Sequence, residues 1–122
     1  MIDDDDDIRE VLAGILKSAG YAVVEANDGK SALDRMFREE AETPCLIVLD
    51  LYLPVLSGWD FLAVKERYHR LAAIPVLVIT GSRAPLGGLK HQRSVVGYFE
   101  KPLDLDSFLQ SVDRAAGGHR VR

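Results

Sequence analysis

The chain has 122 residues, 48% of them apolar, and a formal charge of −4; that is enough for one domain with a real core, expected over residues 1–122, and without a basic face it excludes a general nucleic-acid binder. One cysteine excludes a disulfide framework, no apolar run approaches the roughly 20 residues of a membrane span, and the acidic start is the opposite of a secretory signal. The expected compartment is the reducing cytoplasm, with no membrane partner and with Cys45 as a small buried residue.

Met1 and Ile2 precede five consecutive aspartates, Asp3 to Asp7. A like-charge run usually reads as a solvated tail. Here an apolar helical pattern follows at once: Ile8, Val11, Leu12, Ile15 and Ala19, with Gly20 placed for a C-cap. Residues 21–26, "YAVVEA", predict a strand, and "NDG" a turn. From Lys30, the apolar positions Ala32, Leu33, Met36, Phe37 and Ala41 predict a second helix that ends before Pro44. "CLIVLDL" is a continuous apolar run broken by one aspartate, as expected of a strand covered on both faces. "LPVLSGW" is a loop with Ser57 as N-cap, and Phe61, Leu62, Val64, Lys65, Tyr68 and Leu71 predict one further helix. "IPVLVIT" predicts another buried strand, "GSRAPLGGLKHQRS" is at best weakly helical, and "VVGYFE" is a strand ended by Lys101 and Pro102. Asp104 caps a last helix through "DLDSFLQSVDRAA", and the final six residues are expected to fray.

Alternating strands and helices imply a parallel sheet with helices on both faces. Ligands of such sheets bind beyond the carboxyl ends of the strands. The polar residues predicted at those ends are Asp3 and Asp4 after Met1-Ile2, Asp50 after "LIVL", Thr80 after "VLVI" and Lys101 after "VVGYFE". A buried aspartate at the end of an apolar strand costs several kcal/mol unless it is paired or binds a metal. Together these groups would form one anionic site with a single ammonium and a single hydroxyl. Asp5, Asp6 and Asp7 lead into the helix, where negative charge near the N-terminus is mildly stabilising. His69, His91 and His119 lack metal-ligand spacing and are expected at the surface.

The motifs "IDDDDDIRE", "LIVLDLYLPVLSGWDFL", "VLVITG" and "VVGYFEKPLD", in this order and spacing, resemble the receiver domain of two-component response regulators over essentially the whole chain. The resemblance implies a CheY-like, flavodoxin-like α/β fold: a doubly wound five-stranded parallel sheet of order 2-1-3-4-5. It implies Asp50 as phosphoacceptor, and Mg²⁺ held by Asp3, Asp4, Asp50 and the backbone carbonyl of Tyr52, with Asp4 as the direct acidic ligand and Asp3 acting through water. Thr80 would bond the phosphoryl oxygen, Lys101 would pair with it, Thr80 and Tyr98 would be the switch pair, and Lys101-Pro102 would be a cis peptide. The implied donor is the phosphohistidine of a sensor histidine kinase or a histidine phosphotransfer protein. The implied output is a downstream protein reading the face of the family's fourth helix, fifth strand and fifth helix.

Two features depart from the family pattern. The first strand is truncated to Met1-Ile2 where about five residues are usual, which predicts either a native start further upstream or a short strand of reduced stability, with unpaired backbone on both neighbours. Tyr52 is bulky beside the acceptor and is expected to shield an acyl phosphate from water, with Ser82 small on the other side. Pro85, Gly87 and Gly88 make residues 82–94 the expected weakest segment, to be ordered when the site is filled. A haloacid-dehalogenase type phosphatase fits less well, because that family places an aspartate two residues after its nucleophile and Tyr52 stands there. A binding module that is never phosphorylated is a third reading, opposed by the full residue set. Whether the domain stands alone or belongs to a larger protein is open at this stage.

Overall fold

A computed structural model describes residues 1–38, 43–81 and 93–117. The elements are α1 (Asp6–Ser18), α2 (Gly29–Met36), β1 (Ile47–Asp50), α3 (Gly58–Glu66), α4 (His69–Ala72), β2 (Val76–Thr80), β3 (Val95–Glu100) and α5 (Leu105–Ala116). The three strands form a parallel sheet in the order β1-β2-β3. Every residue of β1 and β2 is buried, because helices cover both faces and alternate side chains enter opposite cores. Ile47, Leu49, Val76 and Val78 pack with Phe61, Leu62 and Leu71 on the side of α2, α3 and α4. Val48, Leu77 and Ile79 pack with Leu12, Leu16, Phe108 and Val112 on the side of α1 and α5.

The short first strand does form. The Ile2 amide donates to the Val48 carbonyl at 2.8 Å, and the Asp50 amide donates to the Ile2 carbonyl at 2.9 Å. On its other side the Asp3 amide donates to the Ala26 carbonyl at 3.1 Å, and the Ala26 amide to the Met1 carbonyl at 2.9 Å. Ile2 thus bridges Ala26 and Leu49 in parallel, and the order across the sheet is 21–26, 1–3, β1, β2, β3. This is the 2-1-3-4-5 order, with its first two members reduced to single bridges. The expected strand over 21–26 is correspondingly a lone bridge at Ala26. A ladder needs a partner of equal length, and its partner is Met1 to Asp3.

The helix ends follow their caps. Asp5, Asp28, Ser57 and Asp104 each accept a hydrogen bond from a first-turn amide, so the aspartate run divides into a strand-end pair, a cap, and Asp6 and Asp7 in the first turn. The helix expected through Leu71 is instead split into α3 and α4. At about 100° per residue, Leu71 would lie half a turn from Leu62 on one continuous helix. Tyr68 leaves the helical region at φ −111°, ψ 116°, which turns Leu71 into the core at 1% exposure. Fully buried Lys65 spans the break, donating to the Ala72 carbonyl at 3.0 Å and pairing with Glu66 at 3.6 Å. Cys45 is half-buried rather than buried, and His69 is exposed as expected. His91, His119 and the weak segment from Ser82 lie outside the described residues, apart from exposed Arg93 and buried Ser94.

In the loop between β1 and α3, Val55 has φ +67° and is 80% exposed. A β-branched residue there is strained by about 1–2 kcal/mol, and asparagine tolerates the same conformation far better. Val55→Asn is therefore expected to raise unfolding stability by about 1 kcal/mol. A urea midpoint that does not rise would show that the loop carries no such strain.

Candidate functional site

Parallel strands of matched register bring their carboxyl ends to one edge. Asp50 ends β1, Thr80 ends β2, Lys101 follows β3, and Asp3 follows the bridging residue Ile2. Asp3 is 0% and Asp50 4% exposed, whereas Asp4 is exposed. Each carboxylate offers an oxygen within 4.8 Å of the others, so Asp3, Asp4 and Asp50 could hold a metal ion.

The hydrogen bonds show how the two buried carboxylates are held. Asp3 Oδ1 accepts from the Asp5 amide at 3.0 Å, and Asp50 Oδ1 accepts from the Tyr52 amide at 3.0 Å. Their other oxygens share one donor: Lys101 Nζ lies 3.0 Å from both Asp3 Oδ2 and Asp50 Oδ2. The Lys101 amide donates to the Thr80 carbonyl at 2.8 Å, which ties the lysine to the end of β2. The Lys101-Pro102 peptide is cis, as expected.

Charge is unevenly distributed here. Burial pushes the Asp50 carboxyl above its ordinary value, and the negative charge of Asp3 adds to this, against the Tyr52 amide and Lys101. Burial also works against the Lys101 ammonium, yet its hydrogen bonds and attraction to Asp3 and Asp50 outweigh that and raise its pKa. One ammonium faces three carboxylates, which leaves a hard, oxygen-rich, anionic site suited to a divalent cation. Thr80 Oγ1 is fully buried with no hydrogen-bond partner among the described residues. An unsatisfied buried hydroxyl costs about 1–3 kcal/mol, so its presence beside this site fits an oxygen-bearing group that arrives from outside.

Two other expected residues are exposed. Tyr52 is 54% exposed, and so is Tyr98, on the outward side of β3. Tyr98 is thus an outward-facing aromatic two strand positions before Glu100, the register partner of Thr80.

Sequence reasoning missed two residues that shape the site. Arg9 Nη1 donates to the Asp3 carbonyl at 2.9 Å and pairs with Asp6 at 2.7 Å, so it locks the turn between the sheet and α1. A lone cation two residues after an aspartate run was the available signal. Gly58 is the other: a Cβ there would lie 2.5 Å from Leu51 Cα and 2.6 Å from the Asp50 carbonyl oxygen. Only glycine lets α3 start this close to the end of β1; the "SGW" cap pattern marks the helix start but not the close approach.

Comparison with known proteins agrees with this geometry. The sequence model of the response regulator receiver domain matches residues 1–113. The chain is 32% identical, over its whole length, to the nitrogen assimilation regulatory protein NtrX of Azorhizobium caulinodans, of which it covers 26%. It is 34% identical over 96% of its length to the transcriptional regulatory protein FixJ of the same organism, covering 54% of that protein. The chain therefore spans about a quarter to a half of these relatives. A crystal structure of a response regulator receiver protein from Pseudomonas putida superimposes with a TM-score of 0.78 at 28% identity, over 93% of this chain and 92% of that one.

Proposed function

This chain belongs to the response regulator receiver domain family, and from that premise we propose that Asp50 is its phosphoacceptor and that residues 1–122 form one receiver domain. Receiver domains are phosphoaccepting signalling modules of two-component systems rather than enzymes in the usual sense, and they work with sensor histidine kinases. The observation that carries the assignment is the unpartnered Thr80 hydroxyl beside Asp50 and Lys101. A hydroxyl donor, a carboxylate and an ammonium at one sheet edge support this reading.

In this reading an Asp50 carboxylate oxygen attacks phosphorus of a partner's phosphohistidine. The O–P bond forms, the P–N bond breaks, and the imidazole leaves with its electron pair. The product is an aspartyl phosphate. Lys101, held between Asp3 and Asp50 beforehand, turns to the phosphoryl oxygens, and the Thr80 hydroxyl donates to one of them. Both groups offset charge in a transfer governed by positioning and electrostatics. Mg²⁺, bound by Asp3, Asp4, Asp50 and the Tyr52 carbonyl, would supply the remaining neutralisation that an anionic nucleophile needs against an anionic phosphoryl group. Tyr52 covers the acceptor at the rim, where it would slow attack by water.

The donor is a sensor histidine kinase or a histidine phosphotransfer protein, and the setting is cytoplasmic; among the described residues no helix is long and apolar enough to cross a membrane. Thr80 and Tyr98 would carry the signal to a downstream protein on the face that includes β3 and α5. The remainder of that face, from Ser82, lies outside the described residues. Treating the protein with a small acyl phosphate and Mg²⁺, then mapping the labile modification, tests the assignment: it must fall on Asp50.

The metal assignment has its own test. Asp4 is exposed and belongs to the carboxylate cluster, whereas Asp6 sits in the first turn of α1 and pairs with Arg9. Asp4→Ala is expected to weaken Mg²⁺ binding by about tenfold or more, and Asp6→Ala by about twofold or less. Equal losses in a metal titration would reduce the aspartate run to a diffuse acidic patch.

A further inference from the structure

A second polar cavity, of about 330 Å³, opens beside the strand-end site on the side of α1 and α2. Its wall carries Arg9, Glu25, Asn27, Ser31, Arg35 and Arg38. Three guanidinium groups around one cavity are unexpected in a chain of net charge −4. Arg9 is already engaged: it bonds the Asp3 carbonyl, Asp6 and Glu25. Glu25 is neutralised as well, lying 3.3 Å from Arg9 and 3.8 Å from Lys17. Arg35 and Arg38 differ. Among the described residues neither side chain has an ion-pair or hydrogen-bond partner. Among the described residues the one cavity-wall carboxylate is therefore spent on Arg9 and Lys17, and no counter-charge among them pairs with the two remaining forks.

We infer that this cavity is a binding site for a small anion with a terminal phosphate group, gripped by Arg35 and Arg38 and by the neutral donors Asn27 and Ser31. The chemistry selects the class of ligand. A guanidinium presents paired N–H donors in a plane that matches two oxygens of a phosphate, and two such forks suit a tetrahedral group with three terminal oxygens better than a planar carboxylate. The volume is at the lower end of that of small-molecule sites, so it admits a phosphate with a short organic substituent. The site is separate from the phosphoacceptor: its donors come from α2, the turn before it and Arg38 just beyond it, and none of the residues at the strand ends lines it. Arg9 forms the partition, since it faces this cavity and also holds the Asp3 carbonyl at 2.9 Å.

The test is a titration of the metal-free protein with inorganic phosphate, followed by amide chemical shifts, with acetate as control, in buffer of about 0.15 M ionic strength to screen diffuse attraction. Saturable shifts at Asn27 and Ser31 are expected with phosphate and not with acetate. The double variant Arg35→Ala, Arg38→Ala should bind at least about tenfold more weakly. The double variant Arg35→Lys, Arg38→Lys keeps the charge and loses the forks, so it should fall between the two. Any of four results would overturn the inference: no saturable binding, equal binding of acetate, undiminished binding by the alanine variant, or shifts centred on Thr80 and Lys101.

Discussion

Asp50→Asn is expected to take up no label above background from a small acyl phosphate in the presence of Mg²⁺, under conditions that label the parent fully. The amide that replaces the carboxylate cannot form an acyl phosphate, and it removes one oxygen from the proposed cation site. No neighbouring group can take over. Among the described residues Asp3 is the other buried carboxylate, but its oxygens are held by the Asp5 amide and Lys101, and Asp4 is exposed. Undiminished labelling of the variant would move the acceptor away from Asp50.

The same variant also has a signature in stability. The raised pKa of Asp50 means that the folded protein holds this proton at higher pH than the unfolded chain does. The stabilisation it confers is present in full below the ordinary value of 3.8 and is lost as pH rises through the folded pKa. At neutral pH, ionised Asp50 is thus a cost, and Asn is expected to raise stability there. Urea midpoints of parent and variant should diverge as the pH rises out of the acid range; midpoints that stay parallel would contradict this.

Lys101→Ala should cost about 2–3 kcal/mol of unfolding stability in metal-free buffer, and much less in saturating Mg²⁺. Asp3 and Asp50 are buried, and Lys101 is the ammonium that faces both at 3.0 Å. Without it, two carboxylates confront one another with no counter-charge, which is far costlier than the loss of a surface pair. The side chain of Lys101 is 19% exposed, so some water screens the pair and keeps the cost below that of a fully buried break. A divalent cation bound by the same carboxylates would replace the missing charge. The prediction therefore concerns a difference of differences, read from urea unfolding of parent and variant with and without Mg²⁺. An identical loss in both buffers would mean that Lys101 stabilises through packing alone. In the parent, the raised Lys101 pKa adds stability that is complete below 10.5 and is lost as pH rises through the folded value.

Most of the site could be read from the chain because strand ends are conspicuous in it. Asp50 and Thr80 each close a run of buried apolar residues, and burial of β1 and β2 on both faces is what makes those runs continuous. A polar residue at the end of such a run must face the edge of the sheet. Two of the caps were equally legible, since Ser57 and Asp104 act within one turn of chain; which aspartate of the run caps α1 was not. Helix continuity was not. The run from Phe61 to Leu71 keeps a helical pattern, yet Leu71 reaches the core only because Tyr68 breaks it.

Local sequence alone therefore determined most of the elements, the Ser57 and Asp104 caps and the strand-end residues, since each depends on contacts within a few residues. The family resemblance supplied the 2-1-3-4-5 order, and Ile2 bears it out by pairing with both Ala26 and Leu49. Tertiary structure decided what depends on distant partners. It reduced residues 21–26 to a bridge, because a strand is only as long as the neighbour it pairs with. It left Thr80 Oγ1 buried without a partner, and it brought Arg9 under the Asp3 carbonyl and Gly58 against the backbone of Asp50 and Leu51. It also set a single lysine between two aspartates, 98 and 51 residues away along the chain. Electrostatic energy follows distance in space and burial from water, and the order of residues along the chain specifies neither until the sheet has closed.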